Sequence, residues 1–493
     1  MSPLKKLAGQ TAIYGISSIL GRFLNYLLVP LHALVFTTAQ YGVITEMYAY
    51  VAFLVVLLTY GMETAFFRFT IKSDLERKNV YTTAVYSLFI TTVLFIAIAI
   101  IFSVPIAEWL RYPDHKEYVT WFAIIVGLDA FASIPLASLR AENKAKRFAF
   151  ISLSNVFVNI GLNLFFLGYC MPKHEAGEVN LLIETMYNPE IGVGYVFISN
   201  LIASIVKFLL LAPEILKARY NFETSLLKKM LLYSLPLLVA GLAGIVNETM
   251  DRIMLKRMLI DTLGEKETMS QLGIYGACYK ISIIITLFIQ AFRYAAEPFF
   301  FSQEKEKNAG EIYAKVMTYF VIVCATIFLF VLLYLDFFKY FIPNPEYWEG
   351  LKVVPVLLMA NICLGVYYNQ SIWYKLTNRT IYGALLAIFG ASITLILNYI
   401  WIPEYHYMGS AWATLICYAS MMIASYFLGH KHFPVKYNFK KVFFYLFLAW
   451  GMYYLSTVLA LELKVLKYAL HTALMLLFLF IIFLLERPKK FVI

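Results

Sequence analysis

Asn247, Glu248, Asp251 and Arg252 stand in a stretch, Leu231 to Met258, that is otherwise apolar and long enough to cross a bilayer as a helix. At about 100° per residue the four fall within an arc of roughly 140°, so one side of that helix is polar. An ionisable group inside a membrane is costly unless it faces a partner or a water-filled cavity, which makes these residues candidates for a transport pathway. Glu248 and Arg252 also stand at i,i+4 in the favourable order, and a local ion pair is the plainer alternative. A second polar face lies near the start of the chain. Between Gly9 and His32, residues Gln10, Thr11, Tyr14, Ser17, Ser18, Gly21, Arg22, Asn25 and His32 share an arc of about 140°, with Leu20, Phe23 and Leu27 on the rest. Ser17, Ser18 and Gly21 suit close helix packing. Arg22 instead needs water or an anion, and a guanidinium fork matches phosphate oxygens.

The elements that carry these residues follow from composition. Of 493 residues, 61% are hydrophobic, 17% aromatic and only 14% charged, too little charge for a soluble surface of that size. The chain is expected to be an all-α polytopic membrane protein. Apolar runs of roughly 20 residues give about fourteen spans, the first near Gly9 and the last near Tyr468. Lys5 and Lys6 lead into a full-length span with no short apolar core and cleavage pattern, so the first helix is expected to stay as an anchor. The net charge of +11 is scattered between spans rather than gathered on one soluble face, which argues against nucleic acid. The five cysteines have no metal-like spacing, and no metal site or catalytic set stands out. Counting basic residues from Lys5 as inside puts about 26 of the 41 on one side and about 10 on the other, which predicts both termini in the cytoplasm.

The chain reads as built twice. Gly21-Arg22 matches Asp251-Arg252, Gln40-Tyr41-Gly42-Val43 matches Gln271-Leu272-Gly273-Ile274, Tyr48 matches Tyr279, Glu63 matches Glu297, Asn143 matches Asn378, and Leu162-Asn163 matches Leu397-Asn398. The order is kept and the offset drifts only from about 230 to about 235 residues. Six spans separate equivalent positions, so the copies enter the membrane in the same direction, related by an axis along its normal. The expected division is 1–220 for one six-helix lobe, 221–432 for a second, and 433–493 for two extra helices. Arg22 and Arg252 would then face each other across a central cavity.

Other charges carry alternatives. Lys280 and Arg293 share a helix but stand about 140° apart. Arg293 with Glu297 is as readily a local ion pair as a ligand group. Glu46 and Glu63, near opposite ends of their spans, are gate latches or solvated acids. Asp129 and Lys207 are isolated in apolar helices and want partners. Trp109, Trp348 and Trp401 suit the membrane interface, and Pro236 and Pro355 suit kinks.

The opening Gly9-Gln10-Thr11-Ala12-Ile13-Tyr14, with Gly21-Arg22-Phe23-Leu24, Leu28-Val29-Pro30 and Gln40-Tyr41-Gly42-Val43, resembles the polysaccharide transporter (Wzx-type flippase) family. That family belongs to the multidrug/oligosaccharidyl-lipid/polysaccharide exporter superfamily. The resemblance implies a flippase, not an enzyme, that moves undecaprenyl-diphosphate-linked glycan to the outer leaflet of a bacterial inner membrane by alternating access. It also implies a cationic cavity, with Arg22 matching an arginine of the first helix that is functional in lipid II flippases. Leu27 and Leu28 stand where those flippases carry an arginine-aspartate pair, a departure that argues against lipid II. Substrate contacts are expected from Arg22, Arg252, Asn25, Asn247, Lys280 and Arg293. Coupling or gating is expected from Glu248, Asp251, Glu46, Glu63 and Glu297, with H+ or Na+ as the coupling ion and no other cofactor. The expected partners are the lipid-linked oligosaccharide and membrane lipids, with a monomer working near glycan-assembly enzymes. The alternative is a multidrug extruder-type cation antiporter, in which Glu248, Asp251 and Glu46 would dominate. A glycosyltransferase would want external acids, and Thr37 to Tyr41 contains none.

Overall fold

Inside hydrocarbon a backbone N–H or C=O finds no water, so spanning segments close their own hydrogen bonds as helices. The computed structural model describes residues 19–72, 77–219, 221–303, 306, 308–459, 461 and 463–487. Gln10, Thr11, Tyr14, Ser17 and Ser18 lie outside the described residues. Among those described there is no strand, and ten helices are long and apolar enough to cross a bilayer.

Contacts divide the chain into two units, Met1–Gly276 and Ala277–Ile493. The first holds α1 (Ile19–Val35), α2 (Thr38–Thr59), α3 (Arg77–Ile101), α4 (Lys116–Ala141), α5 (Ala145–Asn163), α6 (Gly194–Leu210), α7 (Thr224–Leu263) and the first turns of α8 (Glu265–Gln303). The second holds the rest of α8, then α9 (Ala309–Leu333), α10 (Val354–Gln370), α11 (Ile381–His432), α12 (Phe439–Val458) and α13 (Lys464–Glu486). The 52-residue α11 is two spans joined at His406, whose φ of 52° interrupts the helix. Counting it twice, and adding the shorter α1 and α6 together with α12, brings the spans to about fourteen. The chain is a multi-pass helical membrane protein. The contact units meet inside α8, and α7 packs on α2 and on the short helix Met62–Lys72.

The sequence repeat has a structural counterpart. In the first unit Arg140 donates to Glu63 at 2.6 Å; in the second, Lys375 donates to Glu297, the residue equivalent to Glu63. Each basic residue is followed by an asparagine in left-handed conformation, Asn143 at φ 55° and Asn378 at φ 56°, a geometry asparagine tolerates better than most side chains. Asn163 and Asn398 are both fully buried, and each donates to the carbonyl one turn back, Asn159 and Thr394, at 2.8 Å. Within the first unit, Gly42 and Gly273 sit at one helix crossing. A Cβ on Gly42 would strike the Met269 carbonyl, and one on Gly273 would strike the Thr38 carbonyl. Thr38 and Met269 are themselves equivalent in the repeat, so the crossing is reciprocal, as an axis along the helices' common direction requires. The Thr38 and Ser270 hydroxyls, 2.8 Å apart, close it. Small residues let membrane helices approach this closely.

Two expectations are refined. Pro355 stands at the N-terminal end of α10, after the 3-10 turns of Pro345–Val353, so it starts a helix rather than kinking one. Pro236 does lie inside a continuous helix, α7. The connection between α5 and α6 is structured, with short helices Met171–Glu175 and Leu181–Met186.

Candidate functional site

The most deeply buried charges of the first unit gather where α2, α7 and the turn after Ser103–Trp109 meet. α2 begins in a capping box, with Thr37 and Gln40 satisfying each other's backbone amides, and this fixes the helix that carries Glu46 two turns on. Glu46 is 0% exposed and Lys256 of α7 is 1% exposed. The Lys256 ammonium donates to Glu46 Oε2 at 2.8 Å and to the Leu110 carbonyl at 2.8 Å. The Tyr112 hydroxyl donates to the same Glu46 oxygen at 2.5 Å, and the Tyr112 ring lies 3.7 Å from the ammonium. Burial first, and then the adjoining Glu46 carboxylate, push the Tyr112 hydroxyl well above its ordinary pKa, so it stays protonated and remains a donor. Glu46 Oε1 is buried with no hydrogen-bond partner among the described residues. Toward solvent, Arg257 stacks on Trp109 at 4.1 Å, and Arg111 pairs with Asp261 at 2.9 Å on an exposed edge. An apolar cavity of about 460 Å³ lies beside the cluster, lined by Tyr50, Phe95, Trp109, Met250 and Ile253.

One turn earlier on α7, Asp251 and Arg252 are buried. Asp251 Oδ2 accepts from the Tyr275 hydroxyl at 2.6 Å, while Asp251 Oδ1 lies 3.2 Å from the Arg252 guanidinium. The guanidinium also donates to the Glu248 carbonyl and rests over the Tyr275 ring at 5.9 Å. The carboxylate partner of Arg252 is thus its chain neighbour Asp251, whereas the Glu248 side chain is exposed. Asn247 is buried on the same helix.

α1 buries Gly21, Leu28, Val29, His32 and Ala33, with Gly21 against Val156 of α5 and His32 Nε2 2.8 Å from Asn163 Oδ1. Arg22 is exposed and takes no hydrogen-bonding or ionic partner among the described residues. Asn25 is exposed and accepts from Asn159 at 3.2 Å.

The remaining candidates lie on other helices. Glu63 and Glu297 hold Arg140 and Lys375, so Glu297 is engaged across helices rather than by Arg293. Arg293 stacks over Tyr368 at 4.1 Å, and Lys280 is half-buried. Asp129 and Lys207 are each other's partners at 2.6 Å, linking α4 to α6. Of the two alternatives for Glu46, the solvated acid is the one that enclosure removes, since the carboxylate is fully buried against Lys256. Among the described residues no group of His, Cys, Asp and Glu is arranged to hold a metal, and the five cysteines are free and buried.

Sequence reasoning passed over Lys256 and Tyr112. Lys256 had a signal, since Glu248, Arg252 and Lys256 recur every fourth residue along α7 and share a face. Tyr112 had none, because nothing in a short polar turn says that it folds back under a helix end.

The family described as polysaccharide biosynthesis protein matches residues 7–304, well over half of the chain and all of the first unit's described helices. The chain belongs to this family. Comparison with individually curated proteins gives no match. Among solved structures, one titled lipid II flippase MurJ in an inward closed conformation superposes with a TM-score of 0.73 at 13% identity, covering 96% of this chain and 99% of that one. An inward-facing multidrug resistance MATE family transporter of the MOP superfamily gives 0.63 at 14% identity, covering 85% and 94%. A MATE structure in complex with MaD3S gives 0.61 at 13%, covering 87% and 96%. At such identities the likeness is one of fold.

Proposed function

We propose that this protein moves an oligosaccharide carried on undecaprenyl diphosphate from the cytoplasmic to the outer leaflet of a bacterial inner membrane, by alternating access. Membership of the polysaccharide biosynthesis family across α1, α2 and α7 carries the reading, since those helices bear the polar groups discussed above. Lys and Arg asymmetry puts both termini in the cytoplasm. Arg22, exposed and without an ionic partner among the described residues, is the first group to meet the diphosphate, through paired donors to phosphate oxygens. Arg252 begins differently, because Asp251 already neutralises it. The diphosphate displaces Asp251 from the guanidinium, and Asp251 keeps the Tyr275 hydroxyl as a donor. Asp251, with Glu248 beside it, is then the place where H+ or Na+ couples to transport.

The experiment replaces Arg22 with alanine, verifies normal membrane levels, and measures surface glycan. Export should fall at least tenfold, the scale of a lost charge-assisted bidentate contact. Export at the wild-type rate refutes the role of Arg22. Efflux of cationic dyes from a sensitised cell, with glycan export untouched by the Arg22 change, would favour the antiporter reading.

A further inference from the structure

The ends of α3 and α4 and the segment after α6 line a second cavity, a charged one of about 610 Å³, in the size range of small-ligand sites. Arg77, Lys78, Ser138, Glu142, Lys217 and Arg219 line it. Among the described lining residues Glu142 is the one acid, and it is oversubscribed. Glu142 lies 2.6 Å from Lys144, 3.5 Å from Lys217 and 3.9 Å from Arg77, and it accepts from Ser138 at 3.2 Å. Burial works to raise the Glu142 pKa, but the hydrogen bond from Lys144 and the charge of Lys217 outweigh it and hold the carboxyl below its ordinary range. The other acid within reach of Lys217, Glu214 at 4.0 Å, is already held by Arg147 at 2.8 Å. Arg219 is exposed and has no ionic partner among the described residues. Arg77 and Lys78 open α3, so the N-terminal end of a 25-residue helix dipole adds to the positive potential.

Position narrows the ligand. α3 starts and α4 ends at this cavity, and both are candidate spans, which sets it at the depth of lipid head groups. Its rim is apolar where a soluble anion would want water: Leu216, a lining residue, is 59% exposed, and Phe222 beyond it is exposed as well. Basic pockets between helices, at the level where spans end, recognise anionic head groups.

We propose that this cavity binds a phosphate-bearing ligand at the membrane surface, with an anionic phospholipid head group as its source. Phosphate oxygens take up the donors of Arg77, Lys217 and Arg219 that Glu142 cannot satisfy, while Leu216 and Phe222 flank the first acyl carbons. Glu142 is a built-in competitor for the same cations. The site is independent of the transport reading, because none of its residues belongs to the groups assigned there.

The test uses the full chain in a neutral detergent, titrated calorimetrically with dioctanoyl phosphatidylglycerol, dioctanoyl phosphatidylcholine and inorganic pyrophosphate. Phosphatidylglycerol should bind, with an affinity that falls as salt is raised, and phosphatidylcholine should not. The double variant Lys217→Gln/Arg219→Gln should bind phosphatidylglycerol about 25-fold more weakly, at about fivefold per basic residue. Glu142→Gln should bind it more tightly, a gain that misfolding cannot imitate. Pyrophosphate competing with phosphatidylglycerol supports the shared phosphate chemistry. Pyrophosphate binding without phosphatidylglycerol binding overturns the lipid source. Equal binding of the two lipids, or wild-type affinity in the double variant, overturns the site.

Discussion

Replacing Lys256 by methionine while Glu46 stays in place should be among the most damaging single substitutions in the first unit. The ammonium stands 2.8 Å from Glu46 Oε2, and at an effective dielectric constant of about 20 that separation gives about 6 kcal/mol of attraction. Both groups gave up their hydration to get there, at several kcal/mol each, so the pair as a whole is close to neutral against an apolar replacement. A single deletion is not neutral. It removes the attraction and leaves the Glu46 desolvation, a loss of about 3–5 kcal/mol. Glu46→Gln should cost a similar amount by stranding Lys256 against the Leu110 carbonyl alone. The double variant Glu46→Gln/Lys256→Met should recover to within about 1.5 kcal/mol of the parent, which against two single losses of about 3 kcal/mol or more is a coupling of at least about 4.5 kcal/mol. Tyr112→Phe, which removes one donor and strands part of the carboxylate, should cost about 1–3 kcal/mol. Denaturant unfolding in detergent micelles, followed by tryptophan fluorescence, gives all four values. Single variants within about 0.5 kcal/mol of the parent, with additive effects, would refute the reasoning, because a fully buried ion pair cannot be dissected without coupling.

Gly42→Ala and Gly273→Ala should each destabilise by about 1–3 kcal/mol, since each new methyl group meets a backbone carbonyl that cannot turn aside; thermal unfolding in detergent checks this, and a change below about 0.5 kcal/mol would place the crossing elsewhere. Stability should also depend on acid through Glu142. Its folded pKa lies below the ordinary 4.5, so its contribution is complete above that value and is lost as the pH falls through the lower folded pKa. Thermal scans between about pH 3 and pH 7 should therefore show a loss at the acid end that Glu142→Gln reduces; identical acid profiles would remove Lys144, Lys217 and Arg77 as its stabilising partners.

Much of the fold is legible in the sequence because the bilayer imposes it. A span must be apolar, helical and about twenty residues long, so composition alone locates most of them. The duplication is legible for a related reason: Glu63 with Arg140, Glu297 with Lys375, and the two left-handed asparagines are local devices that survive as residue identities. Partner choice is less legible. Asp129 and Lys207 each signal a need for a partner, but only the packing of α4 against α6 shows that they satisfy one another. Arg252 is preceded in sequence by two acids, Glu248 and Asp251, and periodicity favoured Glu248, whereas the guanidinium reaches Asp251. The Glu46 cluster is the hardest case. Lys256 reads as a boundary lysine until a turn from a distant segment delivers Leu110 and Tyr112 to cover it.

The place of α7 gives the buried cluster a mechanical meaning. By sequence α7 opens the second repeat, yet its contacts attach it to the first unit, through α2 and the glycine crossing that follows. That crossing is built from equivalent residues and carries no charge. Glu46 breaks the equivalence, because the matching position is Ala277. Parting α2 from α7 returns two ions to water and gains their hydration, while closing regains the attraction worked out above. Opposing terms of similar size make a two-state element that a modest binding energy can tip. Removing both charges removes both terms at once, and leaves between α2 and α7 a methionine side chain whose exposure to water disfavours opening. Glu46→Gln/Lys256→Met should therefore export glycan several-fold more slowly than the parent while staying within about 1.5 kcal/mol of it in stability, and a thiol placed by Ser270→Cys should react more slowly with a membrane-impermeant maleimide. Wild-type export and wild-type labelling in that variant would make the ion pair a packing device with no part in opening.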